Sequence, residues 1–538
     1  LSLAAGLLLG LSVGVRPDTV LPASLVLLYL LFENRRMPGR QLATRALCVV
    51  TGVLLVVLPI TVRNYVLVRE VIPVSSNAGI NFYVGNSAGA DGISAIPVGL
   101  RWERLIGRVP QEVLEKPATA SRWWARAARS EIMADPAAAL SRLGKKALAF
   151  FNRREFRNNI CYHFLQRACR PLRMSPSQFA VILPLAVCGL VGLWRSGNPA
   201  PRRASALCAL WVAGYWAAGV AFFVTARFRL PATPLLILPA AWALAEGLAA
   251  VRQKRWRTLA GFTAGVLGAS AICWPFWFGS PQEDWVRDNV NLGNSLSEAG
   301  DIDGAVNACR RALEIQPQDP DANFLLGRML LPRDPTGAVK HFEIAREQAP
   351  ESPSLLLATG QAYLQIGEMS KSRQTLQELL DLSAKMNLWP KRDAWATAHI
   401  VLGEIDPPAA KQHWDEAWSI DPRTTAEAAF LQRRELPRVL ETFRAEAAEK
   451  PWDWYSQANL GMVLLESGSA AEAVQAFRNA SRLAPDREGL EFQLARALLQ
   501  AGEEQDALDI LDRLARELPR GGLRDQVEAT RRTIREKS

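Results

Sequence analysis

Residues 454–486 read WYSQANLGMVLLESGSAAEAVQAFRNASRLAPD. Leu460-Gly461, Leu464, Gly468, Ala473, Phe477, Ala480 and Pro485 fall at the spacings of two antiparallel helices joined by a glycine turn. Small residues at Gly461, Ala473 and Ala480 let the two helices approach closely. A large residue such as Phe477 fills the gap between neighbouring units, and Pro485 ends the second helix. The order returns about 34 residues later, as Leu494-Ala495, Leu498, Gly502, Ala507, Leu511, Leu514 and Pro519. It also occurs earlier, as Leu292-Gly293, Leu296, Gly300, Ala305, Cys309, Ala312 and Pro317. One such unit cannot bury its apolar face alone, so copies must stack into a solenoid.

This is the pattern of tetratricopeptide (TPR) repeats. A fourth copy, Leu326-Gly327, Leu330, Ala338, Phe342, Ala345 and Pro350, is one residue short in the middle. Gly360, Tyr363, Gly367 and Leu376 begin a weaker copy, and Ala410, Trp414, Ala417 and Pro422 end another. Residues 424–450 read as degenerate, and 522–538 as a polar capping helix. The array, taken as 281–538, is expected to bind a peptide or protein in its groove. A rigid spacer is the alternative.

Working toward the N-terminus, the composition changes. Residues 1–280 hold 32 Lys+Arg against 11 Asp+Glu, a net of +21. Residues 281–538 hold 31 against 42, a net of −11, which leaves +10 for the whole chain. Such asymmetry separates regions that face different surroundings. Apolar runs at 46–62, 178–194, 204–224, 231–250 and 258–278 approach the roughly 20 residues that a span requires. Shorter runs at 1–15 and 19–32 flank Arg16-Pro17-Asp18. The expected fold is all-α: a polytopic transmembrane bundle over 1–280, followed by the TPR solenoid. Leu1 lies inside an apolar run, which reads as a truncated start, with function-bearing residues expected upstream.

Three short loops are basic: 33–45 with Arg35, Arg36, Arg40 and Arg45; 195–203 with Arg195, Arg202 and Arg203; and 252–257 with Arg252, Lys254, Arg255 and Arg257. If each run crosses once, all three lie on one side, which the positive-inside rule makes cytoplasmic. The long loop 63–177 and the repeats then lie outside a bacterial inner membrane.

The chemistry-bearing stretch is 58–92, LPITVRNYVLVREVIPVSSNAGINFYVGNSAGADG. Its glycines permit tight backbone, and Asn64, Asn81 and Asn86 offer neutral hydrogen bonds to a polyol. Arg16, Arg63, Arg227 and Arg229 stand at the outer ends of apolar runs. Arginine binds phosphate bidentately, so a ring of them suits a lipid phosphate; anchoring at headgroup level is the other reading. Residues 119–157, with Trp123-Trp124, Lys145-Lys146 and Phe150-Phe151, read as amphipathic helices on a membrane surface, with Glu155 and Asn158-Asn159 facing the same cavity. Their external position argues against nucleic acid. The seven cysteines and four histidines show no zinc spacing, so no metal site is expected from them. A Cys161–Cys169 disulfide is left open. No Ser-His-Asp set, phosphate-binding glycine loop or dinucleotide fingerprint is present.

GVRP at 14–17, PITVRNY at 59–65, GINFYVGNSAGADG at 79–92 and RFRLP at 227–231 resemble bacterial GT-C glycosyltransferases of the protein mannosyltransferase-like and aminoarabinose transferase-like class. The resemblance covers roughly 1–250. It implies a multi-span enzyme that takes a sugar from a polyprenyl-phosphate donor on the outer face, with a divalent metal optional. The implied catalytic carboxylate belongs to a first external loop upstream of Leu1, and the role is not carried onto Asp18. The alternative function is a non-enzymatic, membrane-anchored TPR scaffold in envelope assembly.

Overall fold

The computed structural model describes residues 2–93, 99–158, 161–174, 179–274, 285–384, 391–519 and 521–536. Every regular element among them is helical. Two compact units divide the chain, the first running to Leu355 and the second starting at Leu356. The first two repeat pairs therefore belong to the same unit as the apolar helices.

That unit opens with α1 (Ser2–Val15), α2 (Val20–Glu33) and α3 (Gly39–Val68). Gly6 and Gly10 of α1 lie against the backbone of α3 at Val49 and Val53, and Gly52 of α3 lies against Leu3 and Leu7. A side chain at any of these glycines would hold the two backbones apart, which is how small residues drive helix packing in lipid. The loop that follows forms α4 (Ala78–Asn86), α5 (Leu100–Ile106), α6 (Gln111–Leu114), α7 (Pro117–Ala134), α8 (Pro136–Phe151), α9 (Tyr162–Ala168) and α10 (Arg170–Met174). The remaining apolar runs become α11 (Phe179–Arg195), α12 (Pro199–Ala221), the short α13 (Ala226–Arg229), α14 (Thr233–Arg252) and α15 (Trp256–Cys273).

Among the described residues, three helical stretches, Gly39–Val68, Pro199–Ala221 and Ala226–Arg252, are long and apolar enough to cross a membrane. Only 6% of the apolar window of α3 is buried, and Leu47, Leu55, Val62 and Leu67 stand exposed along it. Each of these side chains would forfeit about 1.5–3 kcal/mol by facing water instead of an apolar phase.

The amphipathic stretch 119–157 does not simply lie on a surface. Trp124 and Ala128 of α7 pack toward α4, while Ala149 and Phe150 of α8 join the core formed by α11, α12 and α14. The protein itself takes up those apolar faces; Met133, Leu140 and Leu148 remain outside.

The repeats follow as helix pairs: α16 (Trp285–Glu298) with α17 (Ile302–Ile315), α18 (Pro320–Leu330) with α19 (Pro335–Gln348), and α20 (Pro353–Gln365) with α21 (Met369–Asp381). Next come α22 (Arg392–Ile405) with α23 (Ala410–Ile420), α24 (Pro422–Leu431) with α25 (Leu436–Glu449), α26 (Trp454–Glu466) with α27 (Ala470–Leu483), and α28 (Glu488–Gln500) with α29 (Glu504–Glu517). A final α30 (Gly522–Arg535) buries Val527 and Ile534 against the last pair, as a cap should. The degenerate stretch 424–450 is thus a full pair. Asp301, Asp319, Asp334, Asp421 and Asp453 cap the helices that follow them with their side-chain oxygens. Within the pair α26–α27, a Cβ on Gly461 would come within 2.9 Å of the Phe477 ring, which is fully buried. Gly300, Gly367, Gly468 and Gly502 hold φ near +80° in the turns between paired helices, a conformation that favours glycine.

Candidate functional site

The four arginines expected at the outer surface have different environments. Arg16 pairs with Asp18 at 2.9 Å, donates Nη1 to the Arg227 carbonyl at 3.2 Å and lies over the Phe228 ring. The ends of α1 and α13 are thereby drawn together, with the Arg227 side chain exposed beside them. Arg63 is also exposed, within the last two turns of α3.

Arg229 is 1% exposed. Its Nη1 donates to the carbonyls of Phe150 and Asn152, at 3.2 and 2.6 Å. Its Nη2 donates to the Arg154 carbonyl at 2.6 Å and to Glu155 Oε2 at 2.8 Å, and the Phe179 ring lies 4.5 Å below the guanidinium. Arg229 fastens the end of α8 to the start of α14. A buried charge needs such a set of partners to offset its desolvation.

The asparagines also work within the fold. Asn64 donates to the Ile72 carbonyl at 2.9 Å and closes the turn after α3. Asn81 is half-buried on α4. Asn86 is buried, donates to the carbonyls of Phe82 and Ala221, and accepts from Lys146 Nζ at 2.8 Å. Lys146 also donates to the carbonyls of Gly85 and Phe222 at 3.2 and 3.0 Å, which uses all three of its protons on uncharged oxygens. Burial, reinforced by the neighbouring Arg142 charge, pushes its pKa down to about 8. Arg142 donates in turn to the Asn86 carbonyl at 3.2 Å. Sequence reasoning put Lys146 on a membrane-surface helix and did not single out Arg142. The signal was present: 139, 142, 146 and 149 share one face of α8, and that is the face it buries. Asn158 lies among the described residues and Asn159 outside them.

A second polar cluster joins the outer loop to the first repeats. Leu100, at the start of α5, is buried and donates its backbone N–H to Asp321 Oδ1 at 2.9 Å. Asp321 stands 3.5 Å from Arg287 of α16, and burial raises its pKa against the pull of that arginine. Glu103 accepts from the hydroxyls of Ser352 and Ser354 at 2.8 and 2.6 Å. Arg104 donates to the Gln348 carbonyl at 3.0 Å. Gly99 precedes the helix with φ +67°, and a Cβ there would strike the Asp321 carboxylate. A second strand of the loop attaches nearby, where Cys161 N–H donates to Asp288 of α16. Between α5 and the turns before α18 and after α19 lies a cavity of about 550 Å³ lined by Arg101, Arg104, Gln316, Gln318 and Gln348. Arg101 is exposed and its charge bears on Asp321.

All seven cysteines are free thiols, so the open Cys161–Cys169 pairing is not made. Among the described residues, no group of three or more His, Cys, Asp or Glu side chains converges as for a metal ion.

Models of the tetratricopeptide repeat match residues 290–331, 333–387 and 464–522. The repeats are tetratricopeptide repeats. Among solved structures, PilF of Pseudomonas aeruginosa is 16% identical over 47% of this chain and 100% of that one, with a TM-score of 0.29. A TPR protein of Parabacteroides merdae is 15% identical, over 47% and 99%, with a TM-score of 0.30. TTC0263 of Thermus thermophilus is 17% identical, over 46% and 98%, with a TM-score of 0.21. No curated protein matches the chain.

Proposed function

We propose that the chain is a membrane-anchored TPR scaffold whose repeats stand on the outer face of a bacterial inner membrane and hold a polypeptide partner there. The observation that carries this reading is the docking of α5 onto the second repeat pair and the start of the third through Leu100, Glu103 and Arg104. A loop and a repeat joined directly by hydrogen bonds, one of them buried, lie on the same side of any bilayer. The three basic loops then put that side outside. Exposed leucines and valines on α3 supply the lipid-facing surface, and Arg101 and Arg104, beside Gln316, Gln318 and Gln348, offer a partner charge and amide hydrogen bonds. Alkaline phosphatase fused after Ser538 tests the topology. Active enzyme is expected there and after a fusion in the loop at Glu112. Activity at one position but not the other breaks the shared-side argument, and inactivity at both reverses the orientation.

The second reading is the glycosyltransferase suggested by the motifs of the first 250 residues. The specific observation in its favour is the meeting of Arg16 with the Arg227 segment, beside Asp18 and at the ends of apolar helices. In this reading the exposed Arg63 and Arg227 hold the phosphate of a polyprenyl-phosphate sugar. Arg229, spent on carbonyls and Glu155, holds the end of α8 against the start of α14. A charged hydrogen bond to phosphate is worth about 1.5–3 kcal/mol, roughly ten- to a hundred-fold in affinity. Arg63→Ala and Arg227→Ala should each lose that much donor binding, and Arg63→Lys less, because lysine keeps charge but not the fork. Unchanged donor binding in folded Arg63→Ala and Arg227→Ala protein leaves both as headgroup anchors and removes the transferase reading.

A further inference from the structure

Two arginines line the cavity between α5 and the turns that join successive repeats, and the fold fixes the helix that carries them. Leu100, just before the first, donates its N–H to Asp321, and Glu103, just before the second, accepts from Ser352 and Ser354. Arg101 and Arg104 are a helical turn apart, so they are neighbours on one face of α5. We propose that this cavity, of about 550 Å³, is a carboxylate-binding site that takes an aspartate or glutamate side chain of the polypeptide held by the repeats. The inference rests on the scaffold reading above and adds what the partner must present.

The chemistry of the walls selects that ligand. An arginine fork binds a carboxylate through two parallel hydrogen bonds. Arg104 gives one N–H to the Gln348 carbonyl at 3.0 Å, which restrains the fork, and a guanidinium has further donors for a ligand. Arg101 is exposed to an incoming group. Among the described residues that line the cavity, none is acidic. Gln316, Gln318 and Gln348 each offer an amide donor and acceptor, which suits the N–H and C=O groups of an extended backbone beside the bound carboxylate. Pro317 fixes φ between two of these glutamines and stiffens the turn that presents them. The charge available fits a monoanion. Asp321 interacts with the Arg101 charge, and Glu103 precedes Arg104 on the same helix, so little positive charge is left over for the nearly double charge of a phosphate monoester. Docking of α5 sets the spacing of the two arginines through contacts within the chain itself, which lowers the entropy lost on binding. The walls are inter-repeat turns and a helix from outside the array, so the site is separate from the faces of the paired helices.

The test uses the full chain in detergent. Peptides are selected on the wild-type protein from a phage-displayed library of random short sequences. The strongest binders are synthesised, with each Asp or Glu also replaced singly by Asn or Gln. Acidic peptides are expected to be enriched. Replacing the bound acid in the peptide and Arg101→Gln in the protein should each weaken binding about ten- to a hundred-fold, and the two together no more than either alone. The docking bonds come from Leu100, Glu103 and Arg104, so hydrogen exchange over 100–107 should be the same in Arg101→Gln as in wild type. Selected peptides without acidic residues, acidic peptides bound equally by Arg101→Gln and by the double variant with Arg104→Gln, or a library that yields no binder each overturn the site. Displacement of the peptides by phosphatidylglycerol added to the detergent, and not by phosphatidylcholine, gives the cavity to a lipid headgroup and overturns it as well. Peptide binding that survives Arg101→Gln leaves the scaffold reading standing, because the fusions that test its topology do not depend on Arg101.

Discussion

Removing the Glu103 carboxylate isolates the contact that places the loop and the repeats together. Glu103→Ala deletes two short hydrogen bonds, at 2.8 Å to Ser352 and 2.6 Å to Ser354, both to a charged acceptor. Each such bond contributes about 1.5–3 kcal/mol when shielded. The site is only partly buried, so roughly 3 kcal/mol for the pair is a fair expectation. The helix α5 has seven residues and no independent stability, so its amides are protected only while it is docked. A loss of about 3 kcal/mol raises the undocked population about 150-fold. Hydrogen exchange of the full chain in detergent reads this directly. Amides in 100–107, including Gly107, which donates to the Glu103 carbonyl, should exchange about a hundred times faster, while those of α12 keep their rates. Ser354→Ala should give a smaller acceleration, about tenfold. If Glu103→Ala accelerates 100–107 by less than about threefold, the contact contributes little and the shared-side argument loses its support.

Ala473 is fully buried where α27 meets its partner, so Ala473→Trp should overpack the contact by about 1–3 kcal/mol or more and lower the melting temperature followed by circular dichroism. Lys146 gives a pH signature with a definite sign. Its folded pKa of about 8 lies below the ordinary 10.5, so the unfolded chain binds more protons between those values. Stability should therefore rise by about 2 kcal/mol from pH 8 to pH 10.5, and stay at its lower level below pH 8. Lys146→Met should flatten that rise in denaturant titrations; an unchanged slope would place the titrating group elsewhere.

The apolar runs and the better repeat copies were legible because their signals are local. Leucine-rich runs become helices wherever they lie, and Phe477 beside Gly461 is a contact between residues 16 apart. The pair α24–α25 was not legible. It lacks a Leu-Gly start, and its turn places Arg433 and Glu435 at positive φ where other repeats use glycine. Its second helix nonetheless keeps the small-and-aromatic order, with Val439 and Phe443 fully or almost fully buried. The expected polyol loop illustrates a different difficulty. Asn64 and Asn86 were recognisable as hydrogen-bonding residues, but Ala221 and Lys146, the partners of Asn86, depend on the tertiary fold. Arg229 beside Arg227 shows the same thing. Positions two apart in one motif face solvent and a buried carbonyl cluster, and only the packing of α8 decides which.

The α5 contact has a mechanical consequence. The polypeptide chain already joins the apolar helices to the repeats at one point, and a body held at one point can swivel. Leu100, Glu103 and Arg104 add a second point of attachment from a different part of the chain, and Cys161 adds a third. Three separated points define an orientation. The first two repeats are thus mounted like a bracket, so anything they grip is held at a fixed height and angle above the helices. A surface so mounted has given up its rotational freedom on folding, so an association with it would lose less entropy than one with a freely swinging array.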